Sequence, residues 1–131
     1  MKHSVQLFFV LIILTFVFSC KKYEGEGGTS SISGKVYVLD YNSDGELKGE
    51  YYAEKEDVFI IYGNDSEIYD DTFETSYEGS YIFKYLQKGS YKIFVYSDCD
   101  SCDSGKKAVF AEVEITENYK EYVLDSLIII K

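Results

Sequence analysis

Two cysteines separated by two residues are the side chains of this sequence whose spacing is most suggestive of chemistry. Cys99 and Cys102 lie in the run Asp98–Gly105, which is rich in Asp and Ser. A C-x-x-C pair becomes a redox catalyst when its first thiol begins a helix, because the helix dipole lowers the thiol pKa. Here the motif connects two predicted strands, and neighbouring carboxylates raise a thiol pKa. We therefore expect a loop-tip disulfide formed in an oxidising compartment, with redox catalysis, structural zinc and free thiols as the alternatives.

A second group of candidate ligands lies in the acidic segment Asp40–Glu46. Asp40, Asn42 and Asp44 follow the D-x-N-x-D-G spacing of the first half of a calcium loop, in which alternate oxygens converge on the ion. Position twelve of such a loop carries a bidentate Glu, whereas this chain has Tyr51 there. The same residue types favour a tight turn, because Asp and Asn side chains bond to nearby backbone amides. We expect a turn between two strands, with a calcium site as the alternative and no other cofactor.

Aromatic side chains are the third candidate, since the chain has 14 Tyr and 9 Phe. Tyrosine rings stack on the apolar faces of sugars, and they also cover the outer faces of sheets as good strand formers. Several tyrosines fall opposite the predicted core face or in a long loop. These candidates for glycan binding are Tyr37, Tyr51, Tyr52, Tyr85 and Tyr96. We expect a mainly structural role for them, with glycan binding as the alternative.

The residue types that the chain lacks restrict its function class. The single histidine is His3, and the chain has no Arg. Beyond residue 19 there is thus no imidazole for acid–base catalysis or metal binding, and no guanidinium to clamp a phosphate. The sequence contains no HExxH, Walker A or GxGxxG motif. We therefore predict that the protein is not an enzyme.

The charge balance argues against one class of partner. The chain has 13 basic and 23 acidic residues. Without residues 1–19, which contain Lys2, the side-chain charge is 12 minus 23, or −11. Nucleic-acid binding depends on basic side chains that neutralise phosphates. We therefore expect no nucleic-acid partner.

The elements that must position these groups are strands. From residue 31 onward apolar and polar residues alternate with period two, and β-branched and aromatic types dominate. No window of useful length has a helical period. The predicted strands include 31–39, 57–62, 67–69, 73–77, 91–97, 107–115 and 122–130. This pattern predicts an all-β domain over residues 31–131, a single antiparallel β-sandwich of about seven strands.

The N-terminal segment predicts an export signal. Residues 1–19 combine a short basic start with an apolar stretch, which is the layout of a secretory signal peptide. A membrane-spanning helix needs roughly 20 apolar residues, so this stretch is too short to remain in the membrane as one. Residues 20–30 are polar and rich in Gly and Ser. Such a composition predicts a flexible tether between the signal peptide and the domain.

The run Val17–Cys20 resembles the lipobox of bacterial lipoproteins, with an aliphatic residue three positions before the cysteine and a small residue directly before it. The resemblance implies cleavage before Cys20, acylation of that cysteine with palmitate-like chains and attachment of the domain to a membrane. Glu24 and Glu26 resemble the acidic export signals of surface lipoproteins in the Bacteroidetes group. The implied location is the cell envelope, on the periplasmic or the surface face of the outer membrane.

Residues 79–95 carry the pattern G-x-Y-x-F-x-x-L-x-x-G-x-Y-x-I-x-V, after an opening x-I-x-G-x-V at 31–36. Here the chain resembles the carboxypeptidase-regulatory-like and transthyretin-like β-sandwiches, which are Ig-like or prealbumin-like in architecture. The resemblance covers nearly all of residues 31–131. It says little about activity, since such domains serve as spacers, adhesion modules and companions to enzymes or transporters.

Together these features predict a non-enzymatic, lipid-anchored module of the cell envelope that acts in binding, adhesion or as an accessory domain. Its expected partners are the membrane, through the lipid, and an envelope protein or a glycan. One alternative is a lipoprotein whose ligand binding depends on a glycan or calcium. The other is a redox or enzymatic factor that uses Cys99 and Cys102.

Overall fold

The computed structural model of the protein describes residues 23–131. The predicted signal peptide and the predicted lipidation site, Cys20, lie outside the described residues. Within residues 23–131 there is no helix, and so none that is long and apolar enough to cross a membrane. The strands of this part of the chain are β1 (Glu26–Tyr41), β2 (Leu47–Tyr52), β3 (Asp57–Tyr62), β4 (Asp71–Glu74), β5 (Ser80–Leu86), β6 (Gly89–Asp98), β7 (Lys106–Ile115), β8 (Glu121–Val123) and β9 (Leu127–Ile130).

The first sheet is built around β1, which has 16 residues. Along one edge β1 pairs antiparallel with β5 over its first part and with β2 over its second part. Along the other edge it pairs parallel with β8 and then with β9. Strand β1 therefore spans the length of the sandwich, and its two halves have different neighbours.

The second sheet is antiparallel and has the order β4-β3-β6-β7. Its longest pair is the hairpin of β6 and β7, which runs in unbroken register from Gly89 opposite Ile115 to Asp98 opposite Lys106. Because side chains alternate between the faces of a strand, every second residue of this sheet points away from the first sheet. The second sheet thus has one face in the core and one face toward solvent.

The core lies between the two sheets and confirms the predicted all-β sandwich. Alternate residues of β1 are fully buried, as the alternation in the sequence predicts. The apolar core side chains are Ile32, Val36, Val38, Ala53, Val58, Ile60, Tyr81, Phe83, Leu86, Tyr91, Ile93, Val95, Ile115, Leu127 and Ile129. Burying one large side chain of this kind contributes about 1.5–3 kcal/mol. The buried Ser97 hydroxyl also links the sheets, since it accepts from the Ile130 amide at 2.9 Å.

The structure corrects the predicted tether, because β1 begins at Glu26, inside the segment 20–30. Gly25 donates its amide to the Tyr91 hydroxyl at 2.9 Å. Its carbonyl accepts from the Gln87 amide at 2.8 Å. These partners lie more than sixty positions away in the sequence, and the Gly and Ser residues that they order have low strand propensity. Residues 26–30 of the predicted tether are therefore part of the sheet, and Gly25 is bonded to it.

Other strand boundaries also differ from the prediction, and the strand count rises from about seven to nine. Residues 67–69 are not a strand, because the Ser66 hydroxyl bonds to both the amide and the carbonyl of Ile68 and closes a local turn. The predicted last strand, 122–130, is divided in two where Leu124 bonds back to β1. The segment between the predicted strands 31–39 and 57–62 contains β2, and β4 starts earlier than the predicted strand 73–77.

The domain has two distinct ends. What we call the entry end comprises Gly25, the loop 63–69, the turn 86–89 and the turn 116–120. What we call the far end comprises the turn 42–46, the loop 99–105 and Lys131, whose carbonyl accepts from the Tyr41 amide. The acidic turn and the cysteine pair therefore lie together, at the end opposite to the one where the chain enters.

Candidate functional site

The outer face of the second sheet carries a continuous group of aromatic rings, which we call the aromatic face. Its members are Phe59, Tyr69, Phe94, Tyr96 and Phe110. Strand register creates the central row, because Phe59 pairs with Phe94 and Phe94 pairs with Phe110 across β3, β6 and β7. The ring centres of Phe59 and Phe94 are 5.0 Å apart and stacked, and those of Phe94 and Phe110 are 5.2 Å apart.

Two tyrosines complete the aromatic face from either side of this row. Tyr69, in the loop after β3, lies with its ring centre 4.8 Å from that of Phe59. Tyr96, two positions along β6, lies 5.5 Å from Phe94 in an edge-on arrangement. Such offset and edge-on contacts each contribute about 0.5–1.5 kcal/mol beyond the burial of area. The five rings therefore hold one another in place as a rigid surface.

The aromatic face is open to solvent although its centre is packed. Phe94 is 4 % exposed, while Tyr69, Tyr96 and Phe110 are 50 %, 46 % and 54 % exposed. On the outer side of the strands that build it, the described residues include no exposed Leu, Ile, Val or Met. Polar groups border the row, since Thr72 pairs with Phe59 and the neighbouring cross-strand pair is Lys92 with Glu112. The surface thus offers exposed ring edges and faces beside hydrogen-bonding groups.

The tyrosines proposed from the sequence do not form one site. Tyr96 alone belongs to the aromatic face. Tyr37 and Tyr52 are a cross-strand pair on the other sheet, with ring centres 5.2 Å apart and the Lys35 ammonium 4.5 Å from the Tyr52 ring. Of the two remaining residues, Tyr51 borders a cleft of about 490 Å³ that Tyr52 also lines, and Tyr85 is exposed at the entry end.

Four members of the aromatic face were not among the sequence-derived candidates. Alternation along β6 and β7 already places Phe94 and Phe110 on the side that does not face the core. Their assembly depends on which strands are neighbours and in which register, and a single sequence does not contain this information. Tyr69 reaches the row from a loop, where no periodicity applies. The sequence signal that could have identified Phe94 and Phe110 is the presence of Phe at outward positions of predicted strands.

The acidic segment at the far end forms a tight turn. The Asn42 side-chain oxygen accepts from the amides of Asp44 and Glu46 at 3.0 and 2.8 Å. Gly45 takes a positive φ of 79°, which favours glycine. The oxygen that would ligate calcium at the third loop position is therefore already used within the turn. Asp40 is the next-to-last residue of β1, where it pairs with Gly49. Among residues 23–131 no group of three or more His, Cys, Asp or Glu side chains is placed to hold a metal ion.

The two cysteines of the far end form a disulfide in the structure. The loop around them also has its own backbone bonds, from Cys99 to Gly105 at 3.0 Å and from Cys102 to Cys99 at 3.1 Å. An exposed ion pair joins Lys106 to Asp98 at the base of the loop. The disulfide loop and the turn 42–46 border a shared cleft of about 520 Å³.

Replacing both Cys99 and Cys102 by Ser is expected to lower the free energy of unfolding by no more than about 2 kcal/mol, because the closed loop is short. The backbone bonds of the loop remain, so the variant should fold with an unchanged core. Urea denaturation of the wild-type chain and the double variant would measure the difference. Failure of the variant to fold would show that the disulfide supports the whole sandwich rather than the loop.

A further cleft, of about 610 Å³, crosses the first sheet at Gly34. Tyr81 pairs with Gly34 across β5 and β1, and its ring lies directly over the glycine. The Tyr81 hydroxyl is buried and has no hydrogen-bond partner among the described residues. Burial raises the pKa of Tyr81 to about 12. The pair explains why the opening motif needs a glycine at this position.

Alkaline pH is expected to destabilise the domain through its buried tyrosines. Unfolded Tyr81 would lose its proton near pH 10, whereas burial raises its pKa to about 12 in the folded chain. Between these two pKa values the unfolded state binds fewer protons than the folded state. The contribution of Tyr81 to stability is therefore constant below about pH 10 and falls by about 2–3 kcal/mol toward pH 12. Denaturant titrations across this range should show the fall, and Tyr81→Phe should make it smaller. An identical pH dependence in the Phe variant would contradict this account.

Comparisons with known proteins found similarity only to solved structures. No protein-family model matches the chain, and no curated protein matches it. A solved structure with a similar chain path is described as a "putative carbohydrate binding protein" from Pseudomonas aeruginosa. It is 13 % identical with a TM-score of 0.49, and the match covers 82 % of this chain and 91 % of that chain.

Proposed function

We propose that the protein is a non-catalytic, lipid-anchored binding module of the bacterial cell envelope that holds a glycan on its aromatic face. The observation that carries the proposal is the row of Phe59, Phe94 and Phe110, flanked by Tyr69 and Tyr96. Sugar rings present apolar C–H faces that pack on aromatic rings, and their hydroxyls require polar neighbours. The aromatic rings supply the apolar surface, and Thr72, Lys92 and Glu112 supply polar groups beside it.

The composition of the aromatic face favours a glycan over a protein partner. Exposed anchors of protein interfaces combine aromatic residues with Met and Arg. This chain has no Arg, and the outward positions of β3, β6 and β7 expose aromatic rings without aliphatic side chains. The strong negative charge of the domain also disfavours acidic polymers, so the proposed ligand is a neutral polysaccharide.

Lipid anchoring through Cys20 and the absence of catalysis are parts of the same proposal. The lipobox-like run before Cys20 supports the anchor. The lack of histidine after residue 3 and of any arginine supports a role without acid–base chemistry. The expected location is the outer membrane, with the domain exposed to the periplasm or to the surroundings.

Native affinity electrophoresis tests the glycan part of the proposal. A soluble chain beginning at residue 20 and carrying Cys20→Ser would be run through gels containing xylan, mannan, a mixed-linkage β-glucan or starch. We expect at least one neutral polysaccharide to retard the protein, and we expect anionic alginate not to do so. Unchanged mobility in every gel would contradict glycan binding. An accessory role through a protein partner would then be favoured.

Incorporation of labelled palmitate in a bacterial host tests the anchor separately. The full-length chain should take up label, and Cys20→Ser should abolish uptake. Cys99→Ser is the matched control and should leave the labelling unchanged. Label on the Cys20→Ser variant, or none on the wild-type chain, would contradict acylation of Cys20.

A further inference from the structure

The position at which the chain enters the sandwich limits how far the domain can stand from its lipid. Gly25 is held by the Tyr91 hydroxyl and by the Gln87 amide. Five peptide steps separate it from Cys20. A chain extends by at most about 3.6 Å per residue, so Gly25 lies within about 18 Å of the acylated cysteine. This reach is shorter than the predicted tether of residues 20–30 would allow.

The entry end that must face the lipid carries unusually exposed apolar side chains. Tyr23, Tyr85 and Tyr119 are 73 %, 71 % and 85 % exposed. Ile68, in the loop that follows the end of β3 at this end, is 77 % exposed. Only two other large apolar side chains of the described residues, Tyr77 and Val123, exceed 70 % exposure.

Two of the entry-end tyrosines, Tyr85 and Tyr119, are held in place by the fold. The Tyr119 amide donates to the Thr29 hydroxyl at 3.1 Å, which ties the turn 116–120 to the start of β1. Tyr85 has a positive φ of 59° directly before Leu86, which pairs with the same strand. A left-handed conformation is costly for a tyrosine, so its exposed position is imposed by the backbone.

The charged side chains at the entry end do not attract an anionic lipid surface strongly. Lys88 and Lys120 lie there with Glu24, Glu117 and the Asp65 and Glu67 carboxylates of the loop 63–69, and Lys120 forms an exposed ion pair with Glu117. Acidic side chains outnumber basic ones, so the entry end suits a zwitterionic headgroup layer rather than an anionic one. Tyrosine is favoured at the membrane–water interface because its ring is apolar and its hydroxyl is polar. Lysine can rest beside it with its stem in the apolar layer and its ammonium at the phosphates.

We propose that the entry end is a membrane-seating surface, in which Tyr23, Tyr85, Tyr119 and Ile68 rest in the headgroup layer of the membrane that holds the lipid. This inference rests on the proposed acylation of Cys20, which supplies the main membrane affinity. Seating fixes the domain upright, with the disulfide loop and the turn 42–46 pointing away from the membrane. The strands of the aromatic face then run along the membrane normal, so a glycan can cross them parallel to the surface.

Hydrogen–deuterium exchange of the lipidated protein on phosphatidylcholine vesicles tests the seating, with the soluble Cys20→Ser chain as reference. We expect amides of the loop 63–69 and the turn 116–120 to exchange several-fold more slowly on vesicles. Amides of the turn 42–46 and the loop 99–105 should be unchanged. Equal exchange at both ends, or protection at the far end, would overturn the seating while leaving the anchor intact.

Substitutions distinguish membrane contact by these side chains from simple closeness of the entry end to the membrane. The lipidated double variant Tyr85→Ser/Tyr119→Ser should lose the vesicle-dependent protection, whereas Tyr77→Ser, which is equally exposed elsewhere, should retain it. Retained protection in the double variant would overturn the role of these tyrosines. A wild-type chain that carries no acyl group, as judged by its intact mass after purification from membranes, would overturn both the seating and the anchor. Polysaccharide retardation of the soluble chain is independent of either result.

Discussion

Replacing Gly34 by Ala is expected to destabilise the domain by about 3 kcal/mol, among the largest effects of a single added methyl group in this fold. A Cβ at this position would lie 2.7 Å from Cζ of Tyr81 and nearer still to its hydroxyl. The Tyr81 ring is buried and its centre lies 6.1 Å from that of Phe83, so it can move away only by giving up part of its packing in the core. Either the ring must leave its rotamer or β1 and β5 must separate. Urea denaturation of the wild-type and Gly34→Ala chains would measure the loss.

A double-mutant cycle identifies Tyr81 as the cause of this loss. Tyr81→Ala alone should cost about 3–5 kcal/mol, because it leaves a cavity in the core. In that background Gly34→Ala should cost less than about 1 kcal/mol, since the clash is gone. Gly49→Ala is the matched control, because a Cβ there meets nothing within 4 Å. An equal cost of Gly34→Ala with and without the Tyr81 ring would contradict this explanation.

The fold was largely predictable from the sequence because its main signal is local. Alternation of apolar residues along β1, β6 and β7 depends only on neighbouring positions, and the core residues Ile32, Ile93 and Val95 are where it places them. The start of β1 was not predictable in this way. Its Gly and Ser residues become strand through bonds to Tyr91 and Gln87, and these contacts are distant in sequence.

The candidate site was less predictable than the fold because it depends on register between strands. Tyr96 was recognised by its outward position, but it meets Phe59 only because β3 pairs with β6. Phe110 joins the same group through Phe94 only because β6 pairs with β7. Register between strands also decides where the acidic turn and the disulfide loop lie, and from the sequence alone these appear as two separate features. Only the pairing of β1 with β9 and of β6 with β7 brings these two segments to the same end.

The variant Tyr96→Ala/Phe110→Ala is expected to weaken polysaccharide binding by about 100-fold while leaving the fold intact. Each exposed ring should contribute about 1–1.5 kcal/mol of stacking, and 1.4 kcal/mol corresponds to a factor of ten in affinity. Both rings are about half exposed, so their removal takes little from the core. Phe94 is retained because it is buried beneath them, and its loss would confound binding with stability. Retardation in affinity gels at several polysaccharide concentrations would give the two dissociation constants.

Matched controls decide whether the loss belongs to the aromatic face. Tyr77→Ala removes a highly exposed ring that lies outside the face and should bind as the wild-type chain does. Tyr37→Ala removes a ring of the other sheet, where the sequence alone also placed a candidate, and should likewise leave binding unchanged. If Tyr37→Ala abolished retardation and the aromatic-face variant did not, the glycan would lie on the first sheet instead. Because the two surfaces are on opposite sides of the sandwich, one set of gels distinguishes between them.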